Sequence, residues 1–151
     1  MKRSSLYLDT SCLLKLFFAE PESAQVATKV AAESSVVVSE LAVVEACVQI
    51  HGRRMAGLLS KSAAERLESA LDSTLGSSPF AVVPFAAAAL NTARSQVRGA
   101  RKGAHSRTID RLHLAVMEIE GLQRLFTNDD QQAKAARQLG FEVILLATQP
   151  R

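Results

Sequence analysis

Short apolar runs alternate along this chain with longer stretches whose apolar residues return at helical spacing. The runs at 5–8, 35–38, 81–83, 125–127 and 142–146 are partly β-branched and lack strict polar alternation, which predicts parallel strands covered on both faces. The stretches at 12–18, 23–32, 40–54, 62–75, 86–98, 108–120 and 130–139 predict helices. Leu67, Leu71 and Leu75 share one face of the fourth, Glu20-Pro21 stops the first, and Gly140 ends the last. Gly76-Ser77-Ser78-Pro79 reads as a turn, and 98–106 as a basic, glycine-containing loop. Strand–helix alternation predicts an open α/β domain with helices on both faces, its topology restricted by right-handed crossovers. No repeat or low-complexity linker divides the 151 residues, so one domain over 1–151 is expected.

Composition narrows this picture only a little. An apolar share of 48% with 22% charged residues is ordinary for a soluble globular chain. A net charge of +3 allows a nucleic-acid partner without requiring one. Cys12 and Cys47 lie in apolar helical stretches and read as free thiols, and His51, His105 and His113 are scattered without zinc-ligand spacing. No run is long enough to span a membrane, and the N-terminal apolar run, interrupted by Asp9 and Lys15, is not a signal peptide. A cytoplasmic location is expected. With no Trp and one Tyr, the chain lacks the aromatics of a base-stacking platform.

The candidate chemistry lies in acids that adjoin apolar runs. Asp9 closes Leu6-Tyr7-Leu8, Glu45 is the one charge in 41–50, Asp110 opens IDRLHLAVM, and Asp129 follows Leu125-Phe126-Thr127. An unpaired carboxylate on an apolar face costs roughly several kcal/mol unless a cation is bound. Each has a structural alternative. Asp9 would cap the first helix, and Asp129 with Gln132 reads as a capping box. Asp110 suits the first turn of a helix, with Arg107 and Arg111 as surface partners. Glu45 sits within the Leu41, Val44, Val48 stripe, with snorkelling at an edge as its alternative, and His113 reads as a packing or hydrogen-bonding residue. Asp9 and Asp129 both leave the C-terminal ends of strands, the edge where open α/β sheets bind ligands. Four acids serving one site point to a hard divalent cation.

These segments resemble a known family. LYLDTSCLLKLFFAEPES, SELAVVEA, RTIDRLHLA and LFTNDDQQAKAARQLGFEVI are similar, in order and over almost the whole chain, to PIN-domain ribonucleases of the VapC toxin type. The resemblance implies a three-layer α/β/α sandwich with a parallel sheet of four to five strands in the order 3-2-1-4-5. It implies metal-binding and catalytic roles for Asp9, Glu45, Asp110 and Asp129, with Ser11, Thr127 and the extra acid Asp130 beside them. Either Asp129 or Asp130 is then the ligand. Arg111 stands where the family often has a small residue.

The resemblance implies in turn a Mg²⁺- or Mn²⁺-dependent endoribonuclease, the toxin of a toxin–antitoxin pair, with RNA as substrate, a cognate antitoxin as partner and a homodimer as assembly. Arg98, Arg101, Lys102, Arg107 and Arg111, with His105, are the RNA-contact candidates, and some of Leu13, Leu14, Leu16, Phe17 and Phe18 are expected to face the partner. A free-standing PIN-type RNA-processing nuclease is the alternative. A haloacid-dehalogenase-type phosphatase would need a carboxylate at position 11, which is Ser. A nucleotide-binding module would need a glycine-rich phosphate loop, and none is present. A non-catalytic α/β interaction domain would leave Glu45 unexplained.

Overall fold

The computed structural model describes residues 4–146. Residues 1–3, the start of the segment weighed as a signal peptide, lie outside the described residues. The elements are β1 (Leu6–Leu8), α1 (Thr10–Leu14), α2 (Ser23–Ala31), β2 (Val36–Ser39), α3 (Glu40–Met55), α4 (Lys61–Leu75), β3 (Phe80–Val83), α5 (Ala88–Gly99), α6 (Thr108–Ile119), β4 (Arg124–Thr127), α7 (Asp130–Gln138) and β5 (Glu142–Leu145). All strand pairs are parallel, in the order β3-β2-β1-β4-β5. The expected order 3-2-1-4-5 is the observed one.

Strand side chains alternate between faces, and this divides the core into two layers. Leu6, Leu8, Val36 and Val38 pack with Cys12, Leu13, Val26, Ala42, Ala46, Ile50, Leu71 and Leu75 from α1 to α4. Tyr7, Val37 and Leu125 pack on the opposite face with Ala89, Ala93, Leu114, Met117, Ala135 and Ala136 from α5 to α7. Helices therefore cover both faces.

Three expectations are corrected. The strands are not all buried on both faces: Ala81 and Val82 of β3 point to opposite faces and both are exposed, because the helices cover this edge strand incompletely. The first helix is α1, not 12–18, because Asp9 caps it early. The chain then turns where buried Lys15 reaches Glu20 and Glu22. The buried face of α3 is Ala42, Ala46 and Ile50, whereas Val44 and Val48 are exposed. Small alanines let α3 approach its neighbours closely and turn the valines outward. No helix among the described residues is long and apolar enough to cross a membrane.

Candidate active site

Register brings the first acid beside the strand exit that leads to the last. Leu8 pairs with Phe126, so parallel β1 and β4 end side by side and deliver Asp9 and Thr127 to one edge. Asp9 is only 5% exposed. Its Oδ1 accepts from the Ser11 hydroxyl at 2.6 Å and the Cys12 N–H at 3.1 Å, and its Oδ2 accepts from the Thr127 hydroxyl. Thr127 Oγ1 in turn accepts from the Asp129 N–H at 3.0 Å, and Ser11 Oγ from the Asn128 N–H at 3.1 Å. The two strand exits are thus stitched by side chains that the sequence placed around the first acid. Burial pushes the Asp9 carboxyl above its ordinary value despite these hydrogen bonds.

Glu45 reaches the same edge from α3. Its Oε1 accepts from Thr10 Oγ1 at 2.7 Å and lies 2.5 Å from His113 Nε2. A carboxylate only accepts, so Nε2 carries the proton and Nδ1 accepts from the Tyr7 hydroxyl 2.6 Å away. Burial alone would raise the Glu45 carboxyl, but His113 and Thr10 hold it below the usual range. His113, almost fully buried, is the hydrogen-bonding residue expected. Tyr7 and Thr10 are site residues that the sequence did not single out. No local spacing could reveal them, since they meet Glu45 only through the fold.

Asp110 and Asp129 meet across Arg107. Its Nε donates to Asp110 Oδ2 at 2.9 Å, and its Nη2 lies 3.6 Å from Asp129 Oδ2. Asp110 is the main cause of the upward shift on Arg107, with smaller contributions from Asp129 and Glu45. Asp129 also caps α7, its Oδ1 accepting from the N–H groups of Gln131 and Gln132 at 2.8 and 3.0 Å. The capping alternative and the site reading are compatible, since each uses a different oxygen. Asp130 is exposed on the first turn of α7, and Asp129 is the acid that faces Arg107.

The donor set is carboxylate and hydroxyl oxygen, the chemistry of a hard divalent cation. The Arg107 guanidinium already places positive charge between two of the acids. Among the described residues, no three His, Cys, Asp or Glu side chains stand close enough to ligate one ion together. Mg²⁺ keeps several of its waters, so acids at this spread suit it through water as well as directly.

The basic candidates separate. Arg98, Arg101, Lys102, His105 and Arg107 are exposed around the 98–106 loop. Arg111 is not, because its place in α6 turns it under that loop, where its Nη2 donates to the Ala104 carbonyl at 3.0 Å. Leu13 and Phe18 are core residues, while Leu14, Leu16 and Phe17 pack partly buried against them, so α1 offers no open apolar face.

No curated protein matches the sequence significantly. Among solved structures, VapC20 of Mycobacterium tuberculosis, a sarcin-ricin loop cleaving toxin, matches with a TM-score of 0.68 at 19% identity, over 87% of this chain and 95% of that one. FitAcB from Neisseria gonorrhoeae matches with a TM-score of 0.61 at 21% identity, over 91% and 95%. DNA-bound VapBC from Salmonella typhimurium matches with a TM-score of 0.65 at 17% identity, over 96% and 100%. At such identities these likenesses speak for the fold. The sequence itself matches the PIN domain over residues 6–138, and with the sheet order and the acids at its edge, the chain belongs to the PIN domain family.

Proposed function

We propose that this protein is a Mg²⁺- or Mn²⁺-dependent endoribonuclease and the toxin of a toxin–antitoxin pair. The observation that supports the reading is the pair of networks at the edge where β1 and β4 end: Asp9 with Ser11 and Thr127 beside Glu45 with Thr10 and His113, and Asp110 with Asp129 across Arg107. VapC20, similar in fold, is a toxin that cleaves the sarcin-ricin loop, and a structured RNA is the substrate class proposed here. The proposed partners are that RNA, a cognate antitoxin and a second copy of the chain.

Asp9 and Asp129 would hold the principal ion, with Asp110 and Glu45 binding a second or orienting the attacking water. A bound divalent ion would lower the pKa of a water and offset the charge of the phosphodiester. The chain's own residues prepare the site. Ser11, the Cys12 N–H and Thr127 all donate to Asp9 and fix it as an acceptor. His113, anchored by Tyr7, fixes Glu45. Arg107 supplies an exposed positive charge at the rim, suited to a phosphate. Ser11 donates to Asp9, unlike the acid a phosphatase of the haloacid-dehalogenase type requires two residues after its nucleophile.

Induced expression in a bacterial host separates the toxin from a free-standing RNA-processing nuclease. The toxin reading expects growth arrest with RNA cleavage, both lost in Asp9→Asn and both relieved by a small protein encoded next to this one. Harmless expression of a protein that cuts RNA in vitro would assign it to RNA processing instead.

A further inference from the structure

Arg111 is 4% exposed, and among the described residues no carboxylate lies within ion-pair distance of it. One of its nitrogens donates to the Ala104 carbonyl, but its Nε–H is buried with no partner among the described residues. A guanidinium out of water without an acid is costly. The side chain borders a cavity of about 590 Å³ between α5, α6 and the 98–106 loop. That volume is in the range of small-molecule sites.

The cavity has two kinds of wall. Leu90, Val97 and Leu112 supply apolar surface, while Arg94, Arg98 and Arg111 supply charge, and among the described residues no Asp or Glu lines it. Ser106, also on its wall, has a buried hydroxyl without a partner among the described residues. Thr108, the first residue of α6, brings the free N–H groups and positive dipole end of that helix to the rim. The complement to such a cavity is a flat, weakly polar body joined to an anion. Asp110 precedes Arg111 in the same helix, so one element carries both an acid of the site and a wall of this cavity.

We propose that this cavity is a nucleotide subsite, which takes one base of the RNA substrate against Leu90, Val97 and Leu112 and its phosphate on Arg111, Arg94 and Ser106. The inference deepens the ribonuclease reading and rests on it for the identity of the strand. It makes Arg111 a specificity residue instead of a surface contact. Thr108 and Arg98 line the entrance.

The test is binding of 5′-nucleoside monophosphates to the full chain in EDTA, followed by calorimetry, with inorganic phosphate and unphosphorylated nucleosides as controls. At least one monophosphate should bind in preference to the others, and both controls at least about ten-fold more weakly. Arg111→Met should reduce that binding by roughly ten- to a hundred-fold, the value of one charge-assisted hydrogen bond, while leaving the melting temperature equal or higher. Val97→Trp, from a position 58% exposed, should fill the cavity and block binding without loading the core. Equal affinity for inorganic phosphate would leave only a bare anion site and overturn the proposal. So would binding unaffected by both variants. A protein that binds a nucleotide through Arg111 yet cuts no RNA would refute the ribonuclease reading and spare the subsite. RNA cleavage without Arg111-dependent binding would do the reverse.

Discussion

Replacing Asp9 by Asn should stabilise the metal-free protein, although it removes a residue to which three donors point. The carboxylate is 5% exposed and accepts from Ser11, the Cys12 N–H and Thr127. Charge-assisted bonds contribute about 1.5–3 kcal/mol each and neutral ones about 0.5–1.5, so removing the charge weakens the set by about 3–4 kcal/mol. Against this stands the desolvation of the anion, several kcal/mol by order of magnitude. The upward displacement of the Asp9 carboxyl, caused first by burial, says that desolvation wins. Asn keeps the shape: its carbonyl can accept from Ser11 and Cys12 and its amide can donate to Thr127 Oγ1, which gives up its own donation and goes on accepting from the Asp129 N–H. A gain of about 1–2 kcal/mol is expected, or roughly 2–8 °C for a chain of this length. The pH dependence fixes the sign. A carboxyl whose folded pKa is raised carries no charge penalty below its unfolded value, near about 4, and acquires one as pH rises from there to the folded value. Melting in EDTA across that range should show Asn and Asp forms converging in acid and separating as pH rises. An Asp9→Asn protein less stable than the native one at neutral pH, or a difference that ignores pH, would refute this reasoning.

Other residues give sharper single tests. Arg124→Ala removes the bidentate partner of buried Glu33, held at 2.9 Å on both oxygens, leaves it Lys29 at 2.7 Å, and should cost about 1.5–3 kcal/mol by denaturant unfolding. Arg124 holds the Glu33 carboxyl down to about 2, so that stabilisation is complete above the unfolded value and disappears as pH falls towards 2. Tyr7→Phe leaves His113 Nδ1 buried without its donor and should cost about 1–3 kcal/mol in thermal unfolding. Arg107→Gln removes a guanidinium that is 70% exposed yet pairs with two acids, so Mn²⁺ affinity by calorimetry should rise by no more than about five-fold. Arg101→Ala with Lys102→Ala should lower the salt slope of RNA binding by about 0.7 for each phosphate no longer neutralised, equally for all sequences.

The strands and helices, their order and the two strand-end acids were legible because period, caps and register act locally or through a shared edge. Asp9 and Asp129 could be placed side by side as soon as β1 and β4 were neighbours. Glu45 was found for a partly mistaken reason. Its apolar stripe through Val44 and Val48 faces outward, and its partner is His113, 68 positions away on a different helix. Arg111 shows the same limit in reverse. Both it and Arg107 were expected as partners of Asp110 and as loop-side cations: the i,i+3 spacing gives the Arg107 pair, and only the packing of α6 against α5 sends Arg111 under the loop.

The central claim is that four acids from four segments form one cation site that cuts RNA. Its most direct test is the rate of cleavage of a structured RNA as Mg²⁺ or Mn²⁺ is titrated into EDTA-treated protein, for the native chain beside Asp9→Asn, Glu45→Gln, Asp110→Asn and Asp129→Asn. Cleavage should be absent in chelator, return with the ion, and fall to background in all four variants while each remains folded. Cleavage that persists in excess EDTA, or an Asp129→Asn protein that cuts like the native one, would contradict the account.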